Sequence, residues 1–159
     1  MILGIDLSST STGVCFDGET STIAPKGTLI ERARAMRDEI RHLLIPAPDL
    51  VVLEAIGTRH VQTAIAIATV HALVLDECHG YASVLTVSPA SLKKWATSKG
   101  NANKDAMLVA GLKAGSTAET NDEMDAWWLW TVGEALRGRW HVTATDYRRT
   151  VLDGLGVPA

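Results

Sequence analysis

Little in this chain is suited to crosslinks, membranes or base stacking. Two cysteines, five prolines and one phenylalanine occur in 159 residues, and aromatics make up only 5%. Cys15 and Cys78 have no metal-ligand spacing, which argues against a disulfide scaffold and a cysteine zinc site and fits a reduced, cytoplasmic protein. The longest apolar-rich run, Ala64 to Leu75, is broken by Thr69 and His71 and falls short of the ~20 residues a membrane span needs. No basic leader with an apolar core and cleavage site precedes the first strand, so secretion is not expected. A cationic surplus is missing as well: 15 lysines and arginines face 18 acids, for a formal net charge of -3, where nucleic-acid-binding domains commonly carry basic excess. What the chain does have is 47% hydrophobic residues, enough to bury one core, so residues 1–159 are expected to form a single domain.

The apolar pattern predicts strands over Met1 to Ile5 and Gly13 to Phe16, with a Ser/Thr-rich turn from Leu7 to Thr12 between them. Asp17-Gly18 then predicts a hairpin into a third strand over about Ser21 to Ala24. Thr28 caps a helix that runs to Leu44 and stops before Pro46 and Pro48. "DLVVLEAI" reads as a buried strand closing at Glu54. Val61 to Cys78 is apolar nearly all round, with Ala64, Ala68 and Ala72 on one stripe, and a partner subunit is one way to cover it. "SVLTV" is a fifth strand. Ser88-Pro89 opens a helix, Asn103 caps another through about Ala114, and Asn121 caps one over about Asp122 to Arg137. A short terminal helix is expected around Tyr147 to Leu155. The order indicates an α/β domain, a mixed sheet flanked by helices.

Four acids occupy positions that burial alone does not explain. Asp6 and Glu54 each close an apolar strand and project from one end of the sheet if those strands run parallel. Asp122 and Asp125, three apart on a helix, share a face that soon turns into core. Oxygen-only donors suit Mg²⁺ or Mn²⁺ rather than zinc, and two such ions can activate water against a phosphodiester. Singly, each acid also reads as an ordinary turn, strand-end or helix-start residue. From Ser88 to Lys104 the chain carries Lys93, Lys94, Lys99 and Lys104 with no acid, a strip able to bind phosphate despite the net charge.

"GIDLSSTSTG" at 4–13, "VVLEAI" at 51–56, "SPASLKKWATSKGNANK" at 88–104 and "DEMDAWWL" at 122–129 resemble, in order and over most of the chain, the four motifs of the RuvC family of Holliday junction resolvases. That resemblance implies a ribonuclease-H-like fold with a five-stranded mixed sheet. It also implies a Mg²⁺-dependent endonuclease that nicks four-way junctions and other branched DNA in pairs, as a homodimer. Its implied metal ligands are Asp6, Glu54, Asp122 and Asp125, for two ions, with Lys104 beside the phosphate and Lys93 and Lys104 on DNA. Leu7-Ser8 follows the first aspartate where bacterial members have Pro-Gly, and Gly57 stands where they carry an aromatic. Both traits look like a divergent, phage-borne branch and imply relaxed sequence preference.

Other classes share parts of this pattern. "GIDLSSTSTG" is also close to the phosphate-binding hairpin of actin-like ATPases and sugar kinases, which enclose a nucleotide between two such domains, where this chain has length for one. A non-catalytic DNA-binding module would keep the lysines without needing four acids, and an RNA-directed nuclease would keep both. Trp95, Trp127, Trp128, Trp130 and Trp140 read as core or interface. Arg59 and His60, with Gln62, make the loop after Glu54 a candidate contact for the junction centre, and His71 reads as structural.

Overall fold

A computed structural model describes residues 1–57, 61–140 and 146–156, apart from the side chains of 61–63 and 146. Among the described residues the elements follow in the order β1 (Ile2–Asp6), β2 (Thr12–Phe16), β3 (Glu19–Ile23), α1 (Leu29–Leu44), β4 (Leu50–Glu54), α2 (Val61–His79), β5 (Ser83–Val87), α3 (Pro89–Thr97), α4 (Lys104–Lys113), α5 (Asn121–Leu136) and α6 (Asp146–Gly154). The sheet order is β3-β2-β1-β4-β5. β1, β2 and β3 form an antiparallel meander, while β4 pairs parallel with both β1 and β5. The parallel pairing is possible because α1 and α2 serve as crossovers.

Local chemistry sets the boundaries. Asp17, at φ 47°, and Gly18, at φ 95°, make the β2–β3 turn, and the Asp17 carboxylate accepts the Ile2 N–H at 2.9 Å. Thr28 and Glu31 form a capping box at the start of α1. Ser88 and Asn103 cap α3 and α4 as their sequences predict. The cap of α5 lies one residue earlier than expected: the Thr120 hydroxyl, not Asn121, accepts the Glu123 N–H.

The sheet is covered on both faces, and strand alternation assigns its residues to them. Leu3, Ile5, Val14, Val51 and Leu53 pack against α1 and α2 through Ala33, Met36, Ile40, Val70 and Val74. Ile2, Cys15, Leu50, Val52 and Val87 face the other way, onto α5 and the helices around it. By the same period of two, Gly4 and Asp6 of β1, Gly13 of β2 and Glu54 of β4 belong to the α5 face. A hydrogen-bonded chain ties the helices of that side together. The buried Trp95 indole of α3 donates to Thr131 at 2.8 Å, Thr131 donates to the Trp128 carbonyl at 2.7 Å, and the Trp128 indole donates to the Met107 carbonyl of α4 at 3.2 Å. Arg148 of α6 closes the group, with Nε on the Trp95 carbonyl at 3.0 Å and its guanidinium 5.3 Å from the Trp95 ring and 5.8 Å from that of Trp128. Trp95, Trp127 and Trp128 are buried core residues, and Trp130 and Trp140 pack on them. Among the described residues no helix is long and apolar enough to cross a membrane.

Candidate active site

The parallel register that aligns Ile5 with Leu53 brings Asp6 and Glu54 to the same end of adjacent strands, on the face that α5 covers. Helix α5 reaches that face because two strand residues lack side chains. A Cβ on Gly4 would lie 2.3 Å from the Ala126 carbonyl oxygen, and one on Gly13 would lie 1.9 Å from that of Asp122. Backbone therefore rests on backbone, and the first turns of α5 carry Asp122 and Asp125 over the end of β1.

The electrostatics reflect that convergence. Burial first, then the charges of Glu54, Asp125 and Asp122, hold the Asp6 carboxyl well above the usual carboxylate range, with Lys104 pulling the other way. Burial and then Asp125 push Glu54 up to about 7, against the lowering effect of its hydrogen bond with Asp6 and of Lys93 and Lys104. A hydrogen bond between two carboxyl groups needs a proton on one of them. Burial also lifts Asp125 to about 6, opposed by Lys104 and Lys93 and assisted by Asp122. Asp122 is more exposed. Its Oδ2 accepts the Ser11 hydroxyl at 2.7 Å, and its Oδ1 lies 4.0 Å from Lys104 Nζ.

These donors fit a hard divalent cation in chemistry, being oxygen-only, anionic and partly withdrawn from water. Among the described residues no three His, Cys, Asp or Glu side chains already converge as a ready-made cage. The fit therefore rests on carboxylates that are adjacent and mutually repelling.

The expected cations divide. Lys104 opens α4 and Lys93 lies on α3, and both act electrostatically on the carboxylates. Lys94 is half-buried on α3 and Lys99 is exposed in the loop beyond it. Arg59 and His60 lie outside the described residues. His71, buried in α2, reaches the Glu54 backbone with its ring, and burial lowers its pKa. Gly57 is exposed, and among the described residues Pro89 lies near its Cβ position at 3.9 Å.

No family model matches the chain, and no curated protein matches it. Solved structures do. Thermus thermophilus RuvC superposes with a TM-score of 0.70 at 17% identity, covering 87% of this chain and 96% of that one. T. thermophilus RuvC in complex with a Holliday junction substrate gives a TM-score of 0.71 at 17% identity, covering 87% and 94%. The chain has the RuvC fold. That fold is the ribonuclease-H-like α/β arrangement expected from the sequence.

Ser11, Gly4 and Gly13 also shape the site, though none of them stands out as a functional residue in the sequence. The glycines carried a usable signal, since glycine inside a strand marks close approach by another backbone. Ser11 had none, because its partner lies 111 residues away.

Proposed function

We propose that the chain is a divalent-metal-dependent endonuclease of branched DNA, which resolves four-way Holliday junctions by paired nicks. The observation that carries this reading is geometric: Asp6 and Glu54 end adjacent parallel strands on the face where the first turns of α5, bearing Asp122 and Asp125, rest backbone on backbone, with Lys104 4.0 Å from Asp122. Such a cluster is costly unless a cation belongs there. It sits on a fold of which one known example holds a Holliday junction.

Bound at these carboxylates, Mg²⁺ or Mn²⁺, two ions in this reading, would supply Lewis acidity toward the phosphodiester and a water nucleophile at neutral pH. Asp6 would be the central ligand, because its strand lies between β2 and β4 and its carboxyl feels all three other acids. Glu54 and Asp125 would join it in holding the metal, and Asp122 would complete the set from the start of α5. Lys104 receives the phosphate oxygens and offsets their charge. Lys93, Lys94 and Lys99 extend a path for the flanking backbone, with Arg59 and His60 assigned to the junction centre. The exposed stripe of Ile65, Ala68 and Ala72 on α2 suits a homodimer, since two related scissile strands require two sites about one two-fold axis.

The test is cleavage of synthetic four-way, three-way and linear duplex DNA with and without Mg²⁺, by the wild type and by Asp6→Asn and Asp125→Asn. Both variants should lose cleavage yet still bind the junction, because each removes a ligand and leaves the lysines. Full activity in both variants, or equal cutting of linear duplex, refutes the proposal.

A further inference from the structure

The Ser/Thr-rich turn between β1 and β2 holds the Ser11 hydroxyl against α5. Ser8 Oγ accepts the N–H groups of Thr10 at 3.2 Å and Ser11 at 2.9 Å, and donates back to the Ser11 carbonyl. Arg32 of α1 holds the turn from outside, Nε on the Ser9 carbonyl at 2.8 Å. Thr12 beyond it is fully buried against Met36. The turn is thus pinned from three sides, and from it the Ser11 hydroxyl donates to Asp122 Oδ2 at 2.7 Å.

That bond is not needed to start the helix. Thr120 caps α5, and Glu123, held by the Thr22 hydroxyl at 2.7 Å and by the Glu119 N–H at 2.9 Å, ties its first turn to β3. Gly13 already seats the Asp122 backbone on β2. What remains for Ser11 is the orientation of the Asp122 side chain. A half-exposed carboxylate on a helix start samples several rotamers. With Oδ2 engaged, this one is held in a single orientation, with Oδ1 turned to the Lys104 side.

We propose that Ser11 is a positioning residue for Asp122: it occupies one carboxylate oxygen and leaves the other as a preset, single-oxygen metal ligand. This inference rests on the metal-dependent reading above. The partner that orients a ligating carboxylate typically accounts for 10- to 100-fold in metal affinity, so a loss of about 10-fold is expected when the hydroxyl is removed.

The experiment measures Mn²⁺ binding directly, from the free-Mn²⁺ electron paramagnetic resonance signal, with the full chain without DNA. Wild type, Ser11→Ala, Ser11→Thr, Asp122→Ala and the Ser11→Ala/Asp122→Ala double variant are compared, with junction binding in EDTA as a control for the DNA surface. Ser11→Ala should bind Mn²⁺ about 10-fold more weakly, Ser11→Thr should recover most of the affinity, and Ser11→Ala should change nothing further once Asp122 is alanine. If the alanine variant melts early, Ser11→Cys keeps the volume, weakens the donor and carries the same expectation. A wild type that binds no Mn²⁺ overturns the functional reading, and this inference with it. A wild type that binds, with Ser11→Ala binding equally well or losing affinity undiminished in the Asp122→Ala background, overturns the inference alone.

Discussion

Replacing Gly13 by alanine tests whether backbone contact between β2 and α5 sets the site. The added carbon would sit 1.9 Å from the Asp122 carbonyl oxygen, 2.2 Å from its carbon and 2.8 Å from the Glu123 nitrogen. Ordinary contact needs about 3.5 Å, so strand and helix must part by roughly 1.5 Å, and both contacting groups are backbone with no rotamer to escape into. Overpacking of this kind costs about 1–3 kcal/mol, or roughly 2–12 °C in Tm for a chain of this size. The functional cost should be larger, because the displaced turn carries Asp122 and Asp125, and a misplacement of about 1 Å can lower a rate by ~10²-fold. Gly133→Ala is the control. Its Cβ meets Ile2 Cγ2 at 2.5 Å and Val52 Cγ2 at 3.1 Å near the far end of the same helix, so it should destabilise comparably while leaving cleavage near the wild-type rate. Melting curves and single-turnover junction cleavage of both variants separate the effects. Wild-type cleavage by Gly13→Ala, or equal loss in both, would falsify the argument that this contact aligns the acids.

The raised carboxylates give stability a definite pH dependence. Between the ~4 at which they titrate in an unfolded chain and the values of about 7 for Glu54 and about 6 for Asp125, the folded state binds more protons, so their contribution falls as pH rises through that window. Lifting Glu54 from 4.5 to about 7 corresponds to about 3 kcal/mol lost by pH 8. Buried His71 acts oppositely below its unfolded value, so the observable is the Tm difference between wild type and Glu54→Gln in EDTA. Glu54→Gln should gain on the wild type from pH 5 to pH 8, and a constant difference contradicts the cluster. Lys93→Ala and Lys104→Ala should each weaken junction binding and reduce the slope of log affinity against log salt by about one, whereas unchanged slopes would mean that neither meets a phosphate. Ala68→Glu should convert a dimer to monomers that nick without pairing, an expectation that sedimentation of the wild type as a monomer at micromolar concentration would remove.

Much of the fold could be read locally because its signals are local: period-two strands, the Asp17-Gly18 turn, the Thr28 and Ser88 caps, and prolines that stop α1. The α5 cap shifted by one residue because Thr120 and Asn121 are both good caps, and only the backbone geometry at Thr120 decides between them. Asp6 and Glu54 were legible as acids closing buried strands, and their alignment needed only the parallel pairing of β1 with β4. Their proximity to Asp122 and Asp125 lies in no window of sequence. It comes from Gly4 and Gly13 letting α5 down onto the sheet, a tertiary event that also creates the Ser11 contact. The Trp95–Thr131–Trp128 chain was invisible for a related reason: the tryptophans read as core, but which polar group met each indole depended on how three helices packed.

The crossing of α5 over β1 and β2 also fixes when the carboxylate cluster comes into being. Asp6 and Glu54 emerge from the ribosome with the first third of the chain, but their counterparts follow some seventy residues later and reach them only when α5 settles across the sheet. Contacts of such sequence separation slow folding, because loop-closure entropy is lost before they can form. A nascent chain with its meander, α1 and β4 in place therefore carries two acids with nothing opposite them, and the complete constellation appears in one step with the closing of the core on that face. The carboxylate cluster and the packed core on the α5 face therefore depend on one and the same contact between helix and sheet.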